Sequence, residues 1–386
     1  MKTFKHITPA SRVFSGPDCF DNLAEEVKHT GASRVLIFCD PFLAKQGTLL
    51  NLVKEALDGF CVDVFSNIQA NSPLPAVMEG ADAIRNFHAD VLIGLGGGST
   101  IVTTRASDVI ASEDEDVHNL CTYTDESGNQ ISRRLTAPKI PQILIPTTPT
   151  TATSKAGAAV LDTESNKLLQ LFDPKNRAHS IFIHPQVVEN PPERMMLGAC
   201  MSTFCVAVDG LMSKSGDPMA DALLIHAVRI MAENLSDAEH INDAAVRSNL
   251  MLSSIMCGMG SDYTGTGLSI VLGHASQAQY NVNPGLVNAV VLPYCLKYNS
   301  SASAGMKKLA AALGIENVSE DTAEKTIACI ERILGKLNLP RNLSELGMKE
   351  DKFAAVAENA MHDWYLQFNP REVRMENIID ILKQAY

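Results

Sequence analysis

No CxxC pair occurs in the chain, and its nine cysteines form an odd, scattered set. A disulfide scaffold is therefore not indicated, and the thiols read as the reduced cysteines of a cytoplasmic protein. No run of eighteen uncharged apolar residues is present, so no membrane partner is expected. The N-terminal stretch MKTFKHITPASRVF lacks the apolar segment of a signal peptide, which again points to the cytoplasm. Basic residues are in deficit, with 32 Lys and Arg against 44 Asp and Glu and a formal charge of −12. No local basic stripe offsets that field, which repels phosphodiester backbones, so nucleic acid is not an expected partner. Internal repeats and low-complexity tracts are also missing. What remains is 386 residues, 46% hydrophobic and 20% charged, enough for substantial cores and more than one domain.

The first half alternates short apolar runs with helical patterns. Arg34–Cys39, Cys61–Phe65, Asp90–Leu95, Gln142–Ile145 and Ser180–Ile183 read as strands whose apolar residues run continuously. Helical spacing separates them at Leu49–Leu57, Ala76–Phe87 and Ile101–Ile110. Such strands predict a parallel sheet covered on both faces. The polar stretch Ser112–Arg134 reads as a surface excursion with a small hairpin, turning at Glu126-Ser127-Gly128-Asn129. Beyond Pro191-Pro192 the pattern becomes helical, at 220–235, 244–258, 304–313 and 320–337, with only Val290–Leu292 ambiguous. The fold class is an α/β Rossmann-like domain over 1–188 followed by an all-α domain over 189–386.

The sharpest local feature is Gly96-Gly97-Gly98-Ser99, between a strand and a helix. Glycines let backbone N–H groups approach an anion, and the helix N-terminus adds partial positive charge. A tight turn alone also explains them. Pro146-Thr147-Thr148-Pro149-Thr150-Thr151 follows the next strand with hydroxyls suited to a nucleotide cleft, although Thr/Pro turns are common. Asp40 at another strand end is placed to accept from a ribose hydroxyl, or simply to stop the strand before Pro41.

Together with Asp217–Leu223 (DPMADAL), Gly285–Tyr298 (GLVNAVVLPYCLKY) and Asn369-Pro370-Arg371, these motifs resemble the iron-containing (group III) alcohol dehydrogenase family. That family also includes glycerol dehydrogenases and maleylacetate reductases, and the matches span nearly the whole chain. The resemblance implies the dehydroquinate synthase-like fold. It also implies a nicotinamide dinucleotide held by Asp40, Gly96, Gly97, Gly98, Ser99, Thr147, Thr148 and Thr151, with the helical domain on the substrate side of the cleft. NAD is expected ahead of NADP. A small-molecule substrate and a homodimer are the expected partners.

The departures are as informative. Where the family usually has an aspartate and a lysine after GGGS, this chain has Val102 and Arg105. Its PTTxGTGSEVT segment is altered, bringing in Pro149, Ala152, Ser154 and Lys155. Counting from the flanking motifs, the family's four metal-ligand positions fall on Ser202, Val206, Ile270 and Pro284. Those residues cannot form a first shell, and no two of the ten histidines lie at i, i+4. Cys205, Asp209, Cys257 and His274 are the alternative donors if a site has moved. No metal is expected.

His274 lies where many members carry a second histidine near substrate and nicotinamide, with Tyr263 and Gln277 nearby in sequence. Histidine can move a proton at neutral pH and tyrosine can donate to a carbonyl; a packed helix histidine is the plainer alternative. Arg105, Lys155, Tyr263 and His274 are thus the candidate catalytic groups. His226, His362 and Trp364 read as packing or surface. Three functions stay open, in this order: an NAD(P)-linked oxidoreductase acting on a small alcohol or carbonyl without the usual ion; a scaffold turned to hydrolysis, elimination or isomerisation of a small polar or anionic substrate; and a non-catalytic relative.

Overall fold

The computed structural model of the chain describes residues 3–113, 115–126, 130–165, 167–235, 240–316 and 319–386. The chain forms two compact units. One comprises Pro9–Thr148 and Ala152–Asn190, and the other Pro191–Tyr386 with the N-terminal segment ending at Thr8 and Pro149–Thr151.

The first unit is built on six parallel strands: β1 (Arg12–Ser15), β2 (Arg34–Cys39), β3 (Cys61–Phe65), β4 (Val91–Gly96), β7 (Gln142–Pro146) and β10 (Ser180–Ile183). Two small antiparallel hairpins, β5 (Tyr123–Thr124) with β6 (Gln130–Ile131) and β8 (Gly157–Asp162) with β9 (Lys167–Phe172), complete its strands. The main sheet runs β1-β10-β7-β4-β2-β3. The β5–β6 hairpin lies in the expected surface excursion; residues 127–129 of its expected turn lie outside the described residues.

Continuous apolar runs are explained by burial of both faces. Val35, Ile37 and Cys39 of β2 share a core with residues of α1 (Leu23–His29), α2 (Pro41–Gln46) and α3 (Thr48–Glu55). Leu36 and Phe38 of the same strand pack with Ile84 of α4 (Leu74–Phe87). Alternate residues thus enter opposite layers, as the strand's period of two requires. α5 (Gly98–Ser112) follows β4, and short helices α6 (Val117–Leu120) and α7 (Pro185–Glu189) finish the unit.

The second unit is helical: α8 (Glu193–Met212), α9 (Pro218–Asn234), α10 (Ala244–Thr264), α11 (Leu268–Tyr280), α12 (Pro284–Tyr298), α13 (Ser303–Ala312), α14 (Thr322–Lys336), α15 (Phe353–Met361) and α16 (Met375–Gln384). Val290–Leu292, ambiguous in sequence, belongs to α12, whose buried residues surround it on every side and erase the helical period. α8 is long and apolar enough to cross a membrane by length and composition, and it is mostly buried within its unit. The sequence division at 188/189 assigns the N-terminal residues to the α/β domain. Instead His6 Nδ1 meets the Asp217 carboxylate at 3.0 Å, its ring stacks on Tyr263 at 4.0 Å, and the segment belongs with the helices.

Candidate functional site

The strand order reverses direction at β2 and β4, where the chain leaves one strand for each edge of the sheet. Ligands of open α/β sheets sit at such a point, beyond the carboxyl ends of the strands. Asp40 follows β2 and Gly97 follows β4, and the Asp40 N–H donates to Leu95 O at 3.0 Å, fixing the two ends side by side.

Gly97 caps α5 without any side-chain hydrogen bond, so the first-turn N–H groups keep their capacity to bind an anion. A Cβ on Gly97 would lie 3.2 Å from Thr148 Oγ1 and 3.7 Å from Thr147 Oγ1. The structure thus brings Gly97, Thr147 and Thr148 around one hydroxyl-lined cradle. The Thr147 N–H, donating to Gly96 O at 3.0 Å, ties the threonine loop to β4. Gly96 has another duty: φ is +156° and a Cβ would strike Thr100 Oγ1 at 2.2 Å. Gly98 opens the helix itself. Ser99 is held by a neighbouring turn, its hydroxyl accepting from Asn71 N–H at 3.3 Å and its carbonyl from Ser72 Oγ at 3.1 Å. Asn71 and Ser72 both have left-handed φ, +64° and +48°, an uncommon conformation for residues other than glycine. Nothing in the sequence marks that turn as the brace of the glycine loop. Thr151 begins a short 3-10 turn and is half-buried.

Asp40 is the N-cap of α2, its Oδ1 accepting from Phe42 N–H at 2.9 Å. This is a structural duty that leaves the carboxylate half-exposed beside the loop.

Two candidate catalytic groups are corrected by their surroundings. Arg105 is fully buried, with Nε donating to Asn176 O at 3.2 Å and Nη1 to Gly157 O at 3.1 Å. It braces α5 against β8 and the turn at Asn176, and polarises nothing in solvent. Tyr263 takes a hydrogen bond from Ile7 N–H at 2.9 Å and donates to Ile7 O, so its phenol clamps the N-terminal segment. Lys155 is half-buried between the 3-10 turn Thr151–Thr153 and β8.

In the helical unit, His274 sits on α11 with its side chain 39% exposed, and Nδ1 lies 2.9 Å from Asp363 Oδ2. A carboxylate only accepts, so the ring proton is on Nδ1. Asp363 is itself fixed by Tyr365 N–H, which donates to Oδ1 at 2.8 Å. Sequence reasoning missed Asp363. The aspartate stands ahead of an aromatic turn, an N-cap pattern, but nothing local connects it to a histidine 89 residues earlier. His226 is exposed, and Trp364 packs edge-on to Phe368 at 5.7 Å.

The four inherited metal positions lie on α8, α11 and α12. At Gly285 a Cβ would come within 1.9 Å of Gly198 O and 3.2 Å of Ser202 N, so α12 starts in backbone contact with α8. Val206 and Ile270 enter one apolar core together with Leu286 and Ala289. The group fits poorly here: one hydroxyl, two hydrocarbons and a proline ring supply no anionic or imidazole donor. The alternative donors are each committed elsewhere. Asp209 accepts from Ser269 Oγ at 2.7 Å and Ser269 N–H at 3.1 Å, and burial pushes its carboxyl up to about 6. Cys257 donates to Thr203 O, burial raises the Cys205 thiol, and His274 faces Asp363. Among the described residues no group of three or more His, Cys, Asp or Glu is arranged to hold a metal.

Comparison with known proteins agrees with this layout. A sequence model described as "Iron-containing alcohol dehydrogenase" matches residues 10–185, and one described as "Fe-containing alcohol dehydrogenase family, C-terminal" matches 197–386. The chain is 26% identical to the NAD-dependent methanol dehydrogenase of Bacillus methanolicus over 98% of each chain. It is 26% identical to the 1,3-propanediol dehydrogenase of Citrobacter freundii, over 100% of this chain and 99% of the relative. Among solved structures, a 1,3-propanediol oxidoreductase superposes with a TM-score of 0.89 at 25% identity over the full length of both chains. The sulfoacetaldehyde reductase of Bifidobacterium kashiwanohense, solved with NAD+, shares the fold at a TM-score of 0.86 and 17% identity. With both halves matched in order, the chain belongs to the iron-containing alcohol dehydrogenase family and is an alcohol dehydrogenase-like oxidoreductase.

Proposed function

We propose that this protein is an NAD-dependent dehydrogenase that interconverts a small alcohol and its carbonyl compound without a metal ion. The observation that carries the reading is the cradle at Gly97, open only because no Cβ is there and lined by Thr147 and Thr148. Its helix N-terminus and hydroxyl lining suit a pyrophosphate. Gly96 to Ser99, Thr147, Thr148 and Asp40 would hold the dinucleotide, which supplies or accepts the hydride. The NAD-dependent relative supports the choice of cofactor. Chain-derived proton transfer falls to His274, and no step is assigned to a metal.

Calorimetric titration with NAD, NADH, NADP and NADPH tests the reading. Binding of NADH is the expected result, and no binding of any of the four would sink it. Elemental analysis of protein purified without chelator should find no stoichiometric iron or zinc, and strong chelators should leave turnover and melting unchanged. One tightly held metal per chain would overturn the metal-free claim.

Asp40 should disfavour a 2′-phosphate by like charge. Asp40→Ala is expected to raise the NADP-to-NAD ratio of kcat/KM by about tenfold, the equivalent of about 1.4 kcal/mol. The lost cap of α2 should cost about 1 kcal/mol of stability. A ratio that stays put while stability drops would leave Asp40 with its capping duty alone.

A further inference from the structure

Asn71 and Ser72 are left-handed, at φ +64° and +48°, and Ser72 stands directly before Pro73. A following proline pushes its predecessor toward extended backbone, so Ser72 is disfavoured on two counts. Glycine would adopt a left-handed conformation freely. What serine adds is one hydroxyl, on a residue only 1% exposed. Its Oγ donates to Ser99 O at 3.1 Å and accepts from Thr103 Oγ1 at 3.0 Å. Thr103 does not need that partner. Ser99 lies four residues before Thr103, and the adjacent Thr104 shows the alternative, its Oγ1 donating to the carbonyl four residues back, Thr100 O, at 2.8 Å. The Ser72 hydroxyl therefore rescues no group that α5 would leave stranded. It is wedged between the first and second turns of α5, while the Ser72 carbonyl is tied to β8 by Leu161 N–H at 3.2 Å.

We infer that Ser72 is a positioning residue for the pyrophosphate site, its hydroxyl fixing the first turn of α5 against β8 so that the donors of that turn converge over Gly97. The inference rests on the dinucleotide reading above. An independent sign that the space over Gly97 takes a ligand comes from its opposite wall. Thr147 and Thr148 are each 6% exposed, their hydroxyls have no hydrogen-bond partner among the described residues, and both approach the position of a Gly97 Cβ. Ser99 adds a third hydroxyl. Its oxygen accepts from Asn71 N–H at 3.3 Å, and its proton has no acceptor among the described residues. The N–H groups of Gly98, Ser99 and Thr100 lack acceptors within the helix. A phosphate oxygen is the acceptor that all these groups suit. Ser72 touches no ligand and acts through Ser99. The strained turn holds the donors in place before the ligand arrives, which spares binding the cost of ordering them.

Two substitutions separate positioning from plain stability. Ser72→Gly removes the hydroxyl and relieves the backbone, whereas Ser72→Thr keeps the hydroxyl and adds a branch that left-handed backbone tolerates poorly. If Ser72 served stability alone, affinity would follow melting in both variants. Positioning predicts the reverse order. Ser72→Gly should melt within about 2 °C of wild type, yet bind NADH and ADP about tenfold more weakly by calorimetry. Ser72→Thr should melt lower, yet bind both within about twofold of wild type. ADP carries the pyrophosphate without the nicotinamide, so a loss confined to NADH would place the effect elsewhere and overturn the assignment. Affinities of Ser72→Gly for both within about twofold of wild type would overturn it too, whatever the melting. Should Ser72→Thr fail to fold, the comparison of Ser72→Gly with wild type decides alone. Wild-type protein that binds neither NADH nor ADP strikes the dinucleotide reading itself, an outcome read before any substitution is made and so distinct from a failure of the Ser72 role.

Discussion

Gly97→Val is expected to weaken NAD binding by about 100-fold or more while the α/β unit remains folded. The backbone at Gly97 has φ −82° and ψ −165°, an extended conformation that valine adopts readily. No strain argument therefore applies, and the effect comes from space. The first side-chain atom would stand 3.2 Å from Thr148 Oγ1, and the two methyl groups would extend further into the cradle. An anion seated there loses close approach to the first-turn N–H groups of α5, each such charge-assisted contact being worth about 1.5–3 kcal/mol. Two lost contacts already exceed a hundredfold. Gly96→Ala is the control with the opposite signature. Its φ of +156° and the 2.2 Å approach to Thr100 make it a stability mutation before it is a binding one. Normal NADH affinity in a folded Gly97→Val protein would reduce the loop to a turn.

Much of the α/β unit was legible because continuous β-rich runs bounded by turn residues have few other solutions. Arg34–Cys39, Cys61–Phe65 and Ser180–Ile183 are strands over the spans expected. The helical unit was legible only where one face meets water. α9 and α14 show their period, whereas α8, α11 and α12 are buried around most of their circumference and carry no stripe to read. Those unreadable helices are the ones that carry His274 and the four inherited metal positions. The site was read unevenly for a related reason. Gly97 and the threonines are local motifs on adjacent strand ends, while the Asp363–His274 pair joins segments that no periodicity relates. Tyr263 and Arg105 were attractive as chemistry because sequence gives a side chain's functional group but not its existing partner. Ile7 in one case, and Asn176 with Gly157 in the other, already occupy those groups.

Arg105→Ala should therefore lower stability rather than selectively remove catalysis. The guanidinium is fully buried and bridges α5 to two main-chain carbonyls, Asn176 O and Gly157 O. Asn176 answers by donating from Nδ2 to Arg105 O at 2.9 Å, and Gln142 Nε2 links it to Asp108 Oδ2 at 3.2 Å. Burial has already pushed the Asp108 carboxyl up to about 6, a sign of how little water this network admits. Truncation strips donors from two buried acceptors and leaves a void where a long side chain packed. The expected loss is about 3–5 kcal/mol, seen as a melting temperature lower by roughly 10 °C. Lysine cannot restore it, because a single ammonium lacks the planar fork that reaches both carbonyls in fixed directions, so Arg105→Lys should recover less than about half. Residual folded Arg105→Ala protein, assayed at low temperature, should turn over with wild-type kcat within a few-fold, since the group faces no solvent and no reacting atom. The opposite pattern, melting unchanged and kcat lost by orders of magnitude, would return Arg105 to the catalytic set and displace the structural account of its burial.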